Sequence, residues 1–347
     1  MDKASSNVSI KQIAEALHIS LGTVSVVLNG RGDEVRISKA TQQLVQDKAR
    51  ELGYRPNVYA RRLRRSDNMA AAPVVSVFFP YSSYIGPYGR MIGGIQHAIT
   101  CSKLSAEIIF RPFEYDKLSD SAAYLSEDAC NGAVIFALSN ADLDFLLEND
   151  FSIPIVIYDR VTEKYSSVYV DDYEAGHKVA SLFAARGHRS VGMILSTNRN
   201  KSASMRQLGF TEGCRQAGIP IQPDCFVEDV LSMNGGQRAM AQLLALPNRP
   251  TAVFAGISDM AVGAMLELRA QRVRVPEELE LISFGDNPLE SALSPTLSTV
   301  RLPIEDMSEE CLRLVLHQIE THDSEPVLRI FPTPLILRES CGGFPEK

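Results

Sequence analysis

The sequence predicts a two-part protein: a small all-helical module at the N-terminus, then a larger α/β body built as two doubly wound lobes. Three observations carry this. Residues 1–68 hold 12 Lys/Arg against 7 Asp/Glu, a balance of +5, whereas the whole chain is −7, so residues 69–347 total −12. Helical periods crowd the first 53 residues with no strand pattern between them. From Val74 onward, short apolar runs alternate with helical patterns. A basic module on an acidic body points to a polyanion partner for one end of the molecule, and 347 residues leave room for two or three separate cores.

The module reads as three helices. Ser9 and Gln12 fit a capping box, and Ile10, Ile13, Ala14 and Leu17 follow at helical spacing. His18-Ile19-Ser20 interrupts, and Ser20 caps a second helix over 21–28 with Val24, Val27 and Leu28 on one face. Asn29-Gly30-Arg31-Gly32 ends it, since Asn and Gly tolerate the left-handed conformation. Ser38 caps a third helix whose apolar face is Leu44, Val45, Ala49 and Leu52; Gly53 stops it. Two short helices with a tight turn, braced by a third, match a helix-turn-helix. Spacing alone leaves open a helical bundle used for protein contacts, which the positive charge disfavours.

A second basic device follows. Pro56 pre-sets a first helical turn, and Ala60, Leu63 and Arg64 fall at helical spacing. Alone, such a segment is too short to hold a helix in water and orders only against a partner. A solvated basic linker is its other reading. Residues 67–73 then connect to the body.

In the body the expected strands are 74–79, 106–110, 132–137, 155–158, 190–194, 252–255, 279–284 and 299–300. The expected helices are 90–102, 119–130, 142–149, 173–186, 204–217, 235–245, 258–270 and 304–322. This alternation means parallel sheets covered by helices on both faces. Ligands bind beyond the carboxyl ends of such strands, and in a two-lobed body those ends face each other across a cleft. The residues found there include Tyr81, Tyr84, Asp159, Arg160, Ser258, Asp259 and Asp286. Carboxylates, hydroxyls and aromatic rings suit a hydroxylated neutral ligand, although each residue alone is also ordinary turn chemistry.

Longer strings carry a resemblance. Val8-Ser9-Ile10-Lys11-Gln12-Ile13-Ala14, then Thr23-Val24-Ser25-x-Val27-Leu28-Asn29-Gly30, then Glu51-Leu52-Gly53-Tyr54-Arg55-Pro56-Asn57-x-x-Ala60-Arg61-x-Leu63 resemble the N-terminus of the lac repressor/galactose repressor family of bacterial transcriptional regulators. Gly187-His188-Arg189, Arg206-x-x-Gly209-Phe210, Pro250-Thr251-Ala252-Val253-Phe254-Ala255 and Ser294-Pro295-Thr296-Leu297-Ser298-Thr299 resemble the same family's effector domain. The resemblance covers nearly the whole chain. It implies a helix-turn-helix domain at 1–56, a hinge helix at 57–66, a linker at 67–73, and a periplasmic-binding-protein-like effector and dimerisation domain at 74–347. The first subdomain would take about 74–169 and 300–325, the second about 170–299 and 326–340.

The resemblance also implies roles. The second helix enters the DNA major groove. Thr23, Ser25 and Asn29 donate to phosphates, with Ser20, Tyr54 and Asn57 in the same DNA-contacting set. In the hinge, Leu63 is the apolar wedge between base steps of the minor groove, Ala60 packs beside it, Tyr59 meets the paired hinge, and Arg61 lies near phosphates. Effector contacts fall on Asp159, Arg206, Ser258, Asp259 and Asp286, with Tyr84 or Tyr88 as an aromatic wall. Arg206 would grip hydroxyl pairs or a carboxylate; a salt bridge is its other reading. Two departures stand out. The base-reading positions are Leu21, Gly22 and Val26, none able to make bidentate hydrogen bonds to a base, so readout shifts to thymine methyl groups and DNA shape. In the cleft, Ser258 replaces an Asn, and Gly285-Asp286 replaces paired aspartates. This widens the effector from the common hexose to a polyol, a pentose, a phosphorylated sugar or a purine-like ligand.

The expected function is a cytoplasmic, ligand-responsive DNA-binding repressor with a carbohydrate-like effector and a pseudo-palindromic operator. No leucine heptads follow Glu339, so a homodimer is expected. No apolar run nears the roughly 20 residues of a membrane span. No signal-peptide pattern opens the chain. Without that pattern, the competing reading of a transporter's solute-binding protein is disfavoured. The six cysteines are scattered, as free thiols in a reducing compartment would be. Catalysis, a cofactor and a metal are not expected: G-x-G-x-x-G, P-loop, H-E-x-x-H and G-x-S-x-G patterns are missing, and the six histidines do not cluster.

Overall fold

The computed structural model describes residues 10–28, 32–33, 35–52, 72–81, 86–197, 200–323 and 325–342. Two compact units result, Met1–Ala72 with Ser126–Cys130, and the remainder of the chain.

The first unit holds α1 (Ile10–Leu17), α2 (Leu21–Leu28) and α3 (Lys39–Glu51). Its core is Ile13, Ala14, Val24, Val27, Val45 and Ala49, edged by Leu17, Ile19, Leu28, Ile37 and Leu52. Of the three expected serine caps, the two within the described residues form. Ser20 Oγ accepts from the Thr23 N–H at 3.0 Å, and Ser38 Oγ from the Thr41 N–H at 3.2 Å. One expectation fails: Leu44 is exposed. It lies about 100° around the helix from Val45, off the stripe that Val45, Ala49 and Leu52 share. The proposed cap at Ser9 and stop at Gly53 lie outside the described residues.

In the second unit the strands are near-continuous apolar runs, as in Val74–Pro80, because helices cover both faces of each sheet. The first lobe contains β1 (Val74–Pro80), α4 (Gly86–Thr100), β2 (Glu107–Phe113), β3 (Gly132–Ile135), α5 (Asn140–Glu148), β4 (Ile155–Tyr158) and β5 (Ser166–Val170). The second contains α6 (Asp172–Ala185), β6 (Val191–Ser196), α7 (Lys201–Gln216), β7 (Phe226–Asp229), α8 (Met233–Leu244), β8 (Ala252–Ala255), α9 (Ser258–Ala270), β9 (Glu280–Gly285) and β10 (Ser298–Arg301). The chain then returns through α10 (Ile304–Thr321) and β11 (Leu328–Phe331) to the first lobe, and ends its sheets in the second with β12 (Leu335–Ile336). Sheet order is β11-β5-β4-β3-β1-β2 in one lobe and β12-β10-β9-β8-β6-β7 in the other. All pairs are parallel except β10 with β12.

Three crossovers therefore join the lobes, at 171, 302–303 and 332–334. This corrects the expected subdomain boundaries. Residues 300–301 pair in the second sheet, and 328–331 pair with β5 in the first. The helix expected at 119–130 is a 3₁₀ turn over Leu118–Tyr124. The strands β5, β7, β11 and β12 were not anticipated.

Candidate functional site

The first unit presents α2. Ser20, Leu21 and Gly22 are exposed at its start, Thr23 and Val26 are half-buried, and Ser25 is buried. The Ser20 and Thr23 hydroxyls lie 2.8 Å apart, so capping and an outward-facing polar edge coexist. A Cβ on Gly22 would meet nothing closer than 3.7 Å, so packing does not impose glycine there. The described basic residues are largely spent on neighbours: Lys39 pairs with Asp33 at 2.7 Å, Lys48 with Glu51 at 2.9 Å and Arg50 with Asp47 at 2.9 Å. The excess positive charge lies instead in residues 53–68, with five arginines against Asp67. Asn29, Tyr54, Asn57, Tyr59, Ala60, Arg61 and Leu63 lie outside the described residues, as does Tyr84.

In the second unit the carboxyl ends of the strands gather a buried electrostatic cluster. Arg206, on α7, donates from Nε and Nη2 to Asp172 Oδ1 at 3.1 and 2.6 Å. Its Nη1 donates to the Gly256 carbonyl at 2.5 Å. Its guanidinium lies 3.3 Å from the centre of the Phe284 ring. This places α6, α7, β8 and β9 around one cation, so Arg206 is first a brace within the second lobe. Its approach depends on glycine: a Cβ on Gly176 of α6 would strike the Arg206 carbonyl, and one on Gly209 would strike that of Tyr173.

Asp159 reaches this cluster from the first lobe. It leaves β4 with φ +65°, a left-handed turn that aims it along the sheet's carboxyl edge. Ser202 Oγ of α7 donates to its Oδ2 at 3.0 Å, a hydrogen bond from one lobe to the other. Withdrawal from water, and then repulsion by Asp172, push the Asp159 carboxyl up to about 7, against the pull of Arg206, Ser202 and Arg160. Asp172 is raised too, chiefly by burial, despite its pairing with Arg206. Arg160 is buried and donates from Nη2 to Asn140 Oδ1 at 2.6 Å.

The two sequence departures meet in space. Ser258 donates to the Phe284 carbonyl at 3.1 Å, and a Cβ on Gly285, whose φ is +139°, would run into the Ser258 hydroxyl. Below them Glu290 is fully buried, with Ser283 Oγ donating to it at 2.6 Å; burial pushes its carboxyl up. Asp286 is held by Arg338 at 2.7 Å and lines a pocket of ≈ 370 Å³ with Arg90, Asn287, Pro288, Ser291, Arg301, Glu305 and Arg338. Arg90 and Glu305 pair there by two contacts of 2.6 Å. Tyr88 packs on Phe79 with ring centres 5.1 Å apart, and burial pushes its hydroxyl up to about 12. Tyr81 is exposed and Asp259 half-buried.

Thus Asp159 and Arg206 come together, joined by Asp172 and Ser202, which sequence reasoning missed. The signal for Asp172 was present as Asp171-Asp172 at a strand-to-helix junction: Asp171 caps α6, which frees its neighbour for the cluster. Arg338 and Glu290 had no local signal.

Comparison with known proteins agrees with this architecture. Residues 9–57 match the model of bacterial regulatory proteins of the lacI family, and residues 180–341 match a periplasmic binding protein-like domain. The probable HTH-type transcriptional repressor ExuR of Bacillus subtilis (strain 168) is 29% identical over 339 residues, covering 96% of this chain and 98% of that one. Among solved structures, a LacI family transcription regulator from Clostridium acetobutylicum aligns with a TM-score of 0.74 at 29% identity, over 77% of this chain and 99% of that one. The transcriptional regulator CelR in complex with cellobiose aligns with a TM-score of 0.69 at 23% identity, over 96% and 100%. Members of this family are DNA-binding transcription regulators rather than enzymes. With its helix-turn-helix module, its two-lobed body and likeness along nearly its full length, the chain is similar to the lacI family of bacterial regulatory proteins.

Proposed function

We propose that the protein is a dimeric, cytoplasmic transcriptional repressor whose operator affinity is set by a carbohydrate-like effector in the cleft between its lobes. The observation that carries this reading is the Ser202–Asp159 hydrogen bond between the lobes, 3.0 Å long and set among Arg206, Asp172 and Arg160. A hydroxylated ligand replacing Ser202 as the partner of Asp159 changes the balance between two cleft states, and only this differential affinity moves the equilibrium. CelR, which shares this fold, was solved in complex with cellobiose, and this supports a carbohydrate as the class of ligand. On the DNA side, α2 with exposed Leu21 and Gly22 meets the major groove, and a two-fold dimer requires a pseudo-palindromic operator. No helix among the described residues is long and apolar enough to cross a membrane.

The test is a thermal-shift screen of the full chain against sugars, sugar phosphates, polyols and nucleosides, followed by operator-binding assays with each hit. A ligand at about a hundred times its dissociation constant adds roughly 2.7 kcal/mol to stability. A hit that also changes operator affinity is the expected result. A screen in which nothing shifts both melting and DNA binding would sink the reading.

A further inference from the structure

We infer that the effector carries an anionic group, a carboxylate or a phosphate, and that Arg160 receives it at the carboxyl edge of the first sheet; this rests on the reading of the cleft as an effector site.

Arg160 follows Asp159 out of β4 and is only 6% exposed. Its Nη2 donates to Asn140, which opens α5 just beyond β3. Its charge also reaches Tyr115, just beyond β2. The guanidinium therefore sits where the ends of neighbouring parallel strands meet, the place where ligands bind in such sheets. Its Nη1 is buried and has no hydrogen-bond partner among the described residues. A guanidinium stays charged and offers five N–H donors in a planar fork, so leaving one nitrogen buried and unpaired is costly.

Nearby carboxylates do not fill the gap. Asp142 is taken up by the N–H groups of Asp116 at 3.2 Å and Leu118 at 2.9 Å and by Ser139 Oγ at 2.8 Å. Asp159 turns to Ser202, and its raised pKa leaves it partly protonated near neutral pH. The contrast with Arg206 is direct: its Nε, Nη1 and Nη2 are all engaged within the second lobe. Arg206 is the brace, and Arg160 is the cation with capacity to spare. A neutral hydroxyl accepts a hydrogen bond but leaves the charge unmatched, whereas an oxyanion supplies both.

The experiment compares D-glucuronate, D-galacturonate and D-glucose 6-phosphate with D-glucose and D-galactose, by thermal shift and titration calorimetry on the full chain. At least one acid should bind saturably where its neutral parent does not, and whether it is a uronate or the phosphate separates the two sources. Arg160→Gln should weaken that acid by about ten- to a hundredfold. Arg160→Lys, which keeps charge but not the planar fork, should weaken it about tenfold and carries the comparison if the Gln variant does not fold. Neutral parents binding as tightly as the acids, or variants binding the acid like wild type, overturn the inference and leave the cleft reading standing. Failure of all three acids overturns it as well. The broader screen, with its polyols and nucleosides, then judges the cleft separately.

Discussion

Asp159 is where single-residue chemistry meets function. Its folded-state pKa, pushed up to about 7, lies above the usual carboxylate value of about 3.9. The fold therefore holds a proton that the unfolded chain releases. This contribution to stability is full below the unfolded value and is lost as pH rises through about 7. Asp159→Asn should consequently gain on wild type as pH rises from 4 to 7, by up to about 1.4 kcal/mol per pH unit. Urea denaturation of both proteins at several pH values measures this, and a constant difference would refute it. Asp159 was readable from sequence because it follows an apolar strand. Its partners were less so: Asp172 left only the Asp171-Asp172 doublet at a strand-to-helix junction, and Ser202 approaches from α7 with no local signal.

At the scale of elements, legibility followed locality. Ser20 and Ser38 cap their helices through bonds to residues three positions on, so the sequence pattern alone revealed them. β5 escaped because Ser166 and Ser167 break its apolar run. Both are buried, and Ser166 Oγ accepts from Gln318 and from the Val327 N–H, each at 3.0 Å, from segments about 150 or more residues away. β11 escaped because Leu328, Arg329 and Ile330 are exposed on a sheet edge, with no burial period to read. The α6–α7 contact is the element most exposed to a small change. Gly176→Ala forces α7 away from α6 and moves Arg206 with it, so melting temperature should drop by the equivalent of about 1–3 kcal/mol. Effector affinity should fall with it. Wild-type stability and affinity in this variant would show that the helices have room the geometry denies them.

For the molecule as a whole, charge is sorted by task. The acidic body repels nucleic acid, and the basic excess sits in residues 53–68 rather than on α1–α3. Replacing Arg61 and Arg64 by Gln should therefore flatten the log–log dependence of operator affinity on salt by up to about 2. The same exchange at Lys39 and Lys48, already paired with acids, should do much less. Equal effects would place the phosphate contacts elsewhere. The three crossovers carry a different consequence, one that concerns synthesis. Neither lobe is a continuous stretch of chain. As the polypeptide leaves the ribosome, the first lobe must wait, its sheet unfinished and β3, β4 and β5 without the cover of α10, until β6 to β10 of the second lobe have been made and α10 and β11 follow. The second lobe waits longer still, for β12 and for Ser340, whose hydroxyl donates to the Leu281 carbonyl at 2.6 Å. A message cut short anywhere before codon 335 leaves one lobe or both open, and the cell inherits a substrate for proteolysis instead of half a regulator.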